Sequence, residues 1–476
     1  MEAKPIYLNG KWVTGESSIE VNNPATGEII ARVSTVGRDA VRQAIADAQA
    51  AFEPWRRLTA TQRADYLMAW ADAMTQRFDE IARTITLENG KALAQSEGEL
   101  KLTIDQIRWF AEEGRRAYGR IVPNAVDGLR HLVIKHPVGV VGAIAPWNFP
   151  MLLAVRKIAP AMAAGCTVIH KPASATCLSS VPMSECMDAA GVPPGVYQFL
   201  MGKASEISTE MLENPDCKKI SFTGSTPIGK VLMDGASANV TKLGLELGGN
   251  APFIVFDDAD IESAADGLMI AKFRNTGQSC IGANRVYVQA PVYDAFVDAF
   301  VARVNKLKIG NGLDEGVDIG AMVDEDGLDH ALKHIEDAVG RGARVVAGGN
   351  RWGDVGTFLE PTVIADVPQD ATCMHDEIFA PVAPIAKFET EAEVLQKAND
   401  TPYGLAAYAY TENIHRGLRA AEALEAGSIC INAGVPTTSM CPFGGLKESG
   451  EGRELGIEGL EAFFEVKHVA IGLKDE

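Results

Sequence analysis

A chain of 476 residues is longer than one hydrophobic core usually serves, so two or three domains are expected. With 47% hydrophobic and 22% charged residues, its composition is that of an ordinary globular protein with a large core available. The net charge of −19 argues against nucleic acid or an anionic membrane as the main partner, since both select basic surfaces, and any anionic ligand must find local positive charge.

The N-terminus has no basic segment followed by an apolar stretch, and nowhere is there a run of some 18 uncharged apolar residues. The eight cysteines are scattered without a C-x-x-C pair or a disulfide-like spacing. Reduced thiols and a cytoplasmic location are expected.

Residues 6–35 alternate short apolar runs with turn signals (Asn9-Gly10, Asn23-Pro24, Gly27) and predict strands and hairpins. From Arg38 to Tyr118 apolar residues recur at three and four (Val41, Ile45, Ala48, Phe52; Leu67, Trp70, Met74), which predicts a solvated layer of amphipathic helices punctuated by Asn89-Gly90. Residues 119–136 turn polar and β-branched around Asp127-Gly128, as a hairpin leaving the main body does. Alternating units follow: strand 138–145, helix 154–164, strand 167–170, helix 179–190, strand 196–200, helix 205–213 and strand 219–222. This alternation predicts a parallel, doubly wound dinucleotide-type domain. A second α/β series starts at Ala251 and runs to a strand at 428–432, and a last strand-like segment spans 464–472.

Four kinds of chemistry-bearing stretch stand out. The first is Phe273-Arg274-Asn275-Thr276-Gly277-Gln278-Ser279-Cys280, which places a cysteine behind a short polar run, between helix-like and strand-like segments. Cys280 is a candidate nucleophile, although its thiol, ionised only to a few per cent at neutral pH, needs a site that lowers its pKa or lends a base. The second is Pro146-Trp147-Asn148-Phe149-Pro150, in which two prolines hold an amide in place, and the third is Glu246-Leu247-Gly248-Gly249, a carboxyl beside permissive glycines. The fourth, Phe222-Thr223-Gly224-Ser225-Thr226-Pro227-Ile228-Gly229, follows a strand and opens a helix, as a phosphate-contacting turn should. It nearly spells a nucleotide-triphosphatase loop, but Val231 stands where a magnesium-binding hydroxyl belongs. No G-x-G-x-x-G occurs, and no metal motif assembles; His330 and His334 share i, i+4 spacing without the glutamate of a zincin and are expected on a solvated face.

Together with Glu377-Ile378-Phe379-Ala380-Pro381 and Pro442-Phe443-Gly444-Gly445, these stretches resemble the aldehyde dehydrogenase superfamily, in order, from about residue 6 to residue 474. The resemblance implies two doubly wound α/β domains plus a β-hairpin oligomerisation arm. The dinucleotide-binding domain would comprise 1–117 and 137–247, the bridging arm 118–136 and 463–476, and the catalytic domain 248–462. It also implies a homotetramer or homodimer. Cys280 would attack the aldehyde, the Asn148 side chain and the Cys280 amide would hold the oxyanion, and Glu246 would activate the deacylating water. Trp147, Lys171, Ser174, Phe222, Gly224, Ser225, Glu377 and Phe379 would contact NAD or NADP; Ser174, where strict NAD users often carry glutamate, leaves NADP open. Ala380 departs from the commoner glycine.

Arg156 and Arg285 match the positions at which the succinate semialdehyde branch of the family holds the substrate's remote carboxylate, and the fork of a guanidinium suits a carboxylate or sulfonate. Thr437 and Thr438 loosely match that branch's serine, which leaves a sulfonated aldehyde such as sulfolactaldehyde, or a five-carbon semialdehyde, open as substrate. The rivals are acyl transfer to coenzyme A, disfavoured by Glu246, and a catalytically idle binding or structural protein, disfavoured by Cys280, Glu246 and Asn148 together.

Overall fold

A computed structural model of the chain describes residues 1–473; the last three residues assigned to the arm, 474–476, lie outside the described residues. The protein is α/β, built on two large sheets. In the first, the strands Tyr197–Phe199, Thr167–Lys171, Val140–Ile144, Cys217–Thr223 and Lys242–Glu246 lie side by side and parallel. Numbered along the chain from Val140, this order is 3-2-1-4-5, so the winding reverses between Val140–Ile144 and Cys217–Thr223. A ligand crevice is expected beyond the carboxyl ends of that pair. These strands are near-continuous apolar runs because helices cover both faces.

The second sheet runs Arg344–Ala347, Thr362–Ala365, Val382–Phe388, Ala283–Gln289, Ala251–Val255, Ala406–Tyr410, Ser428–Ile431, parallel except for its first strand. The strands Arg120–Val122, Leu129–Pro137 and Phe464–Gly472 form a separate antiparallel sheet whose exposed residues include Ile121, Ile134 and Val466. The chain rejoins the first sheet at Gly450–Glu451, antiparallel to Lys242–Glu246, well ahead of the domain boundary expected at 462. That return brings the loop 436–449 against the end of Lys242–Glu246, where an added Cβ on Gly444 would stand 2.9 Å from Glu246 Oε1.

The helical layer differs from its expectation in one place. Helices Phe78–Asn89 and Leu93–Gly114 bury the turn that joins them, because Glu88, Asn89, Lys91 and Glu99 are all almost inaccessible to solvent. The amphipathic period places the apolar stripes but is blind to polar residues whose partners lie on other segments. Here those partners are in the first βα loops: Glu88 accepts from the amides of Leu178 (2.7 Å) and Ser179, capping the helix Ser180–Ala189, and Glu99 accepts from those of Met151 (3.0 Å) and Leu152 (3.2 Å), capping the helix Pro150–Ala164. Neither helix has a side-chain cap of its own. Burial outweighs the capping bonds at Glu88 and pushes its carboxyl up to about 8. The turn itself needs Gly90, which has φ +90 and whose added Cβ would stand 2.9 Å from the Ala321 carbonyl oxygen. Gly90→Ala is therefore expected to destabilise the protein by about 1–3 kcal/mol, read as a lower urea midpoint at unchanged slope.

Candidate active site

The crevice at the winding reversal holds a cavity of about 210 Å³ lined by Trp147, Asn148, Gly224, Ser225, Gly248, Cys280, Glu377 and Phe379, with Pro146, Thr223 and Leu247. Five of the residues expected to bind the dinucleotide, the candidate oxyanion donor and the candidate nucleophile thus line one cavity. Phe222 lies beneath: its ring is 2.3 Å from where a Gly224 Cβ would be, so only glycine lets the turn close over it. Lys171 is buried at the end of the adjacent strand, and Ser174 follows on a partly exposed loop.

Cys280 reaches this cavity on a backbone held in an unusual shape. After the helix Ile261–Phe273, Asn275 and Thr276 both have φ near +54, a region that side chains other than glycine's seldom occupy. Surrounding bonds hold the loop there. The Asn275 amide donates to Gln95 Oε1 (2.5 Å), Asn275 Nδ2 donates to the carbonyls of Asn148 (2.7 Å) and Gln278 (3.0 Å), and Tyr408 Oη donates to the Ile281 carbonyl (2.7 Å). Below, Gly249 passes so close that a Cβ would sit 2.2 Å from the Cys280 carbonyl oxygen. The Gly249 amide donates to Glu377 Oε1 (3.0 Å), which fixes that carboxyl beside the thiol. Ala380, whose methyl replaces the commoner glycine's hydrogen, is fully buried.

The electrostatics of the site are those of a dry pocket. Burial, followed by the Glu377 charge, pushes the Cys280 thiol up to about 12, against the pull of Arg156. Glu377 is itself raised to about 7 by burial, opposed by the Gly249 amide and by Lys272, whose own pKa burial lowers to about 7. Glu246 ends the strand Lys242–Glu246 with Oε2 unpartnered, and burial and Glu454 raise its pKa well above the usual carboxylate range. Beside it Lys157 Nζ binds Glu454 Oε1 (2.5 Å) and Thr223 Oγ1 (2.6 Å). At Asn148, Nδ2 gives one of its two N–H groups to the Gln278 carbonyl (3.1 Å), which leaves the other free.

The two arginines expected to hold the substrate's tail lie in different surroundings. Arg156 is buried in the helix Pro150–Ala164 with Nε unpartnered and its guanidinium carbon 4.8 Å from the centre of the Phe443 ring. Arg285 is a correction. It is fully buried in the second sheet, and its guanidinium donates to the carbonyls of Asn250 (2.8 Å), Lys397 (2.9 Å) and Ala398 (2.8 Å). The crevice beside it encloses about 10 Å³, room for no more than a water. The second arginine near the thiol is Arg274, its guanidinium carbon 4.9 Å from the Phe149 ring centre, and its pKa is lowered by burial and then by the Arg156 charge. The signal was in the sequence: an arginine stands directly after the helix Ile261–Phe273, six residues before Cys280. Thr437 and Thr438 are partly exposed on the loop that ends in Phe443, whereas the neighbouring Ser439 donates its hydroxyl to Asp105.

The model of the aldehyde dehydrogenase family matches residues 12–469. The chain belongs to that family. It is 47% identical to a glutarate-semialdehyde dehydrogenase of Pseudomonas aeruginosa, over 98% of this chain and 97% of that one, and 46% identical, with the same coverage, to an NADP(+) succinate-semialdehyde dehydrogenase of Escherichia coli. A 3-sulfolactaldehyde dehydrogenase of Pseudomonas putida is 43% identical over 98% and 96% of the two chains. A crystal structure of an E. coli NADP-dependent enzyme superposes with a TM-score of 0.98 at 46% identity, covering 99% of this chain and 98% of the other. The resemblance to the family and the α/β fold read from the sequence are thus both borne out. Among the described residues no cluster of three or more His, Cys, Asp or Glu side chains could hold a metal, and His334 is buried, its Nε2 3.0 Å from that of His330.

Because the free enzyme's thiol is raised to about 12, alkylation of Cys280 by iodoacetamide is expected to be slow at pH 7 and to quicken about tenfold per pH unit up to pH 9, read by mass spectrometry of the intact protein. A plateau below pH 8 would contradict a thiol raised by burial.

Proposed function

We propose that this aldehyde dehydrogenase oxidises a small aldehyde with an anionic tail to its carboxylic acid, using NAD or NADP. The observation that carries the reading is the pair of buried arginines, Arg156 and Arg274, whose pKa values both feel the charge of Cys280. A carboxylate or sulfonate entering between them would supply the acceptor that Arg156 Nε lacks, a charge-assisted contact in a dry site. Semialdehyde and sulfolactaldehyde relatives at 43–47% identity support the same substrate class. A carboxylate tail of four or five carbons is the first reading. A sulfonate is the second, because threonines stand at 437 and 438 on the loop beside Arg156.

The residues present fit a dinucleotide. Gly224 and Gly248 leave no side chain in the cavity wall, Ser225 caps the helix Thr226–Ala236 whose positive end opens there, and Glu377 is pinned by a backbone amide. When bound, the nicotinamide accepts the hydride that leaves the substrate carbon. The protein's own part begins with Cys280 Sγ bonding to the aldehyde carbon as the thiol proton passes to water, a loss of charge-neutrality at sulfur that Arg156 favours. The carbonyl oxygen becomes an alkoxide facing the free N–H of Asn148 Nδ2 and the Cys280 amide, and after oxidation the carbon is a thioester on Cys280. Glu246, once ionised, takes a proton from water as its oxygen attacks the thioester, and the sulfur leaves with its electron pair. We also propose the antiparallel arm of residues 118–137 and 464–472 as the surface that joins subunits, in a dimer or tetramer.

Initial rates of NADH and NADPH formation with succinate semialdehyde, glutarate semialdehyde, sulfolactaldehyde and butanal test the reading. Arg156→Ala and Arg274→Ala are each expected to reduce kcat/KM for the best anionic aldehyde about 10²-fold, about 3 kcal/mol, while sparing butanal. Arg285→Ala should lower stability without changing the ratio. Equal turnover of butanal by the wild type would sink the anion pocket and leave only the general dehydrogenase.

For Glu246→Gln the expected result is one fast equivalent of reduced cofactor per site followed by turnover slowed about 10²–10⁴-fold. In the wild type, deacylation should rise with pH, because burial keeps this carboxyl protonated at pH values where an exposed one is ionised.

A further inference from the structure

The buried turn between the helices Phe78–Asn89 and Leu93–Gly114 is used by nothing in the reaction above, yet its side chains end on the loop that carries Asn148. Asn89 Nδ2 donates to the Trp147 carbonyl (2.9 Å), and Lys91 Nζ donates to the next carbonyl, that of Asn148 (2.6 Å). Lys91 has no solvent exposure and its donors are otherwise engaged: Glu99 Oε2 at 2.7 Å, and the face of Phe149, with Nζ 4.3 Å from the ring centre. Glu99 in turn spends its other oxygen on the amides of Met151 and Leu152. One ion pair therefore ties the loop and the start of the helix bearing Arg156 to a single point.

We propose that Lys91, held by Glu99, is a positioning residue for the oxyanion-binding amide of Asn148. The peptide group is rigid, so fixing the Asn148 carbonyl oxygen fixes the backbone torsion on which the direction of its side chain depends. Two donors converge on that oxygen, Lys91 and Asn275 Nδ2 (2.7 Å), and the second also grips the Gln278 carbonyl that holds the Asn148 amide. Burial lowers the Lys91 pKa and the Glu99 carboxylate opposes it; as an ammonium held by that carboxylate, Lys91 makes the charge-assisted and so the stronger of the two bonds. A buried ion pair adds little stability over a well-packed apolar pair, whereas it specifies geometry wherever each end has one acceptor. A misplacement of about 1 Å at a reacting group costs roughly 10²-fold in rate.

The inference rests on the reading of Asn148 as the oxyanion donor, and the test separates the two. First-turnover formation of reduced cofactor and kcat/KM with succinate semialdehyde are measured for wild type, Lys91→Met, Asn148→Ala and the double variant, all as the full chain. Lys91→Met is expected to lose about 10–100-fold in kcat/KM in the wild-type background and less than about threefold in the Asn148→Ala background. Equal losses in both backgrounds would overturn the proposal, because Lys91 would then act on the fold or on the charge of the site and not through Asn148. Full activity of Asn148→Ala would instead remove the reading beneath it. Since Lys91→Met strands the Glu99 charge, the neutral pair Lys91→Met/Glu99→Gln, which keeps an acceptor for the Met151 and Leu152 amides, is carried through the same cycle against Asn148→Ala/Glu99→Gln. Failure of both Lys91 variants to fold would assign the lysine to stability alone and overturn the proposal as well.

Discussion

Two successive peptide carbonyls, those of Trp147 and Asn148, turn inward from the crevice loop, and each is paired by side-chain donors there. This pairing organises the site. The loop leaves the strand Val140–Ile144 at the point where the first sheet reverses its winding, so it lines the crevice and cannot return to a ladder for its hydrogen bonds. Donors have to come from elsewhere, and they come from three directions: Asn89 and Lys91 from the helical layer, Thr176 from the loop after the strand Thr167–Lys171, and Asn275 from the strained segment ahead of Cys280. The loops of Cys280 and Asn148 are thereby joined by one donor, Asn275, and are fixed to each other.

The same dryness sets the charges. Cys280, Glu246, Glu377 and Glu88 are all pushed toward their neutral forms, chiefly by burial. A protein of net charge −19 cannot draw an anion to it by its overall field. Local arginines have to do so, and a guanidinium, unlike an ammonium, keeps its proton when desolvated. Lys272 illustrates the difference: burial brings its pKa down to about 7, whereas Arg156 and Arg274, lowered too, start from the far higher value of a guanidinium.

Most of the scaffold was legible because apolar periodicity reports it directly. Strands expected at 219–222 and 428–432 are found at Cys217–Thr223 and Ser428–Ile431, and the helix expected at 205–213 at Ala204–Glu213. What periodicity does not carry is the destination of a polar side chain. Lys91 and Glu99 read as members of a solvated helical face because their partners are more than 50 residues away along the chain. Arg285 and Arg274 were exchanged for the same reason. Both flank Cys280 at short range, and only the fold tells that one points at the carbonyls of Asn250, Lys397 and Ala398 while the other lies against Phe149.

That exchange bears on how the anion pocket works. Arg285 has four hydrogen bonds to main-chain oxygens and so has no unmet demand to offer a ligand. Arg156 is nearly as buried, yet its Nε lacks a partner, and its contact with Phe443 satisfies charge only through the ring face. Removing a guanidinium from water without hydrogen bonds is unfavourable, and in this protein that penalty is met during folding, before any ligand arrives. An aldehyde whose tail carries a carboxylate or sulfonate then gains the full charge-assisted contact while losing only its own hydration. An uncharged aldehyde of the same length leaves the arginine as it was. Discrimination in such a pocket comes from the protein's unmet hydrogen bond as much as from the ligand's charge, which is why the position of each guanidinium, and not the count of arginines near the cysteine, decides what the enzyme binds.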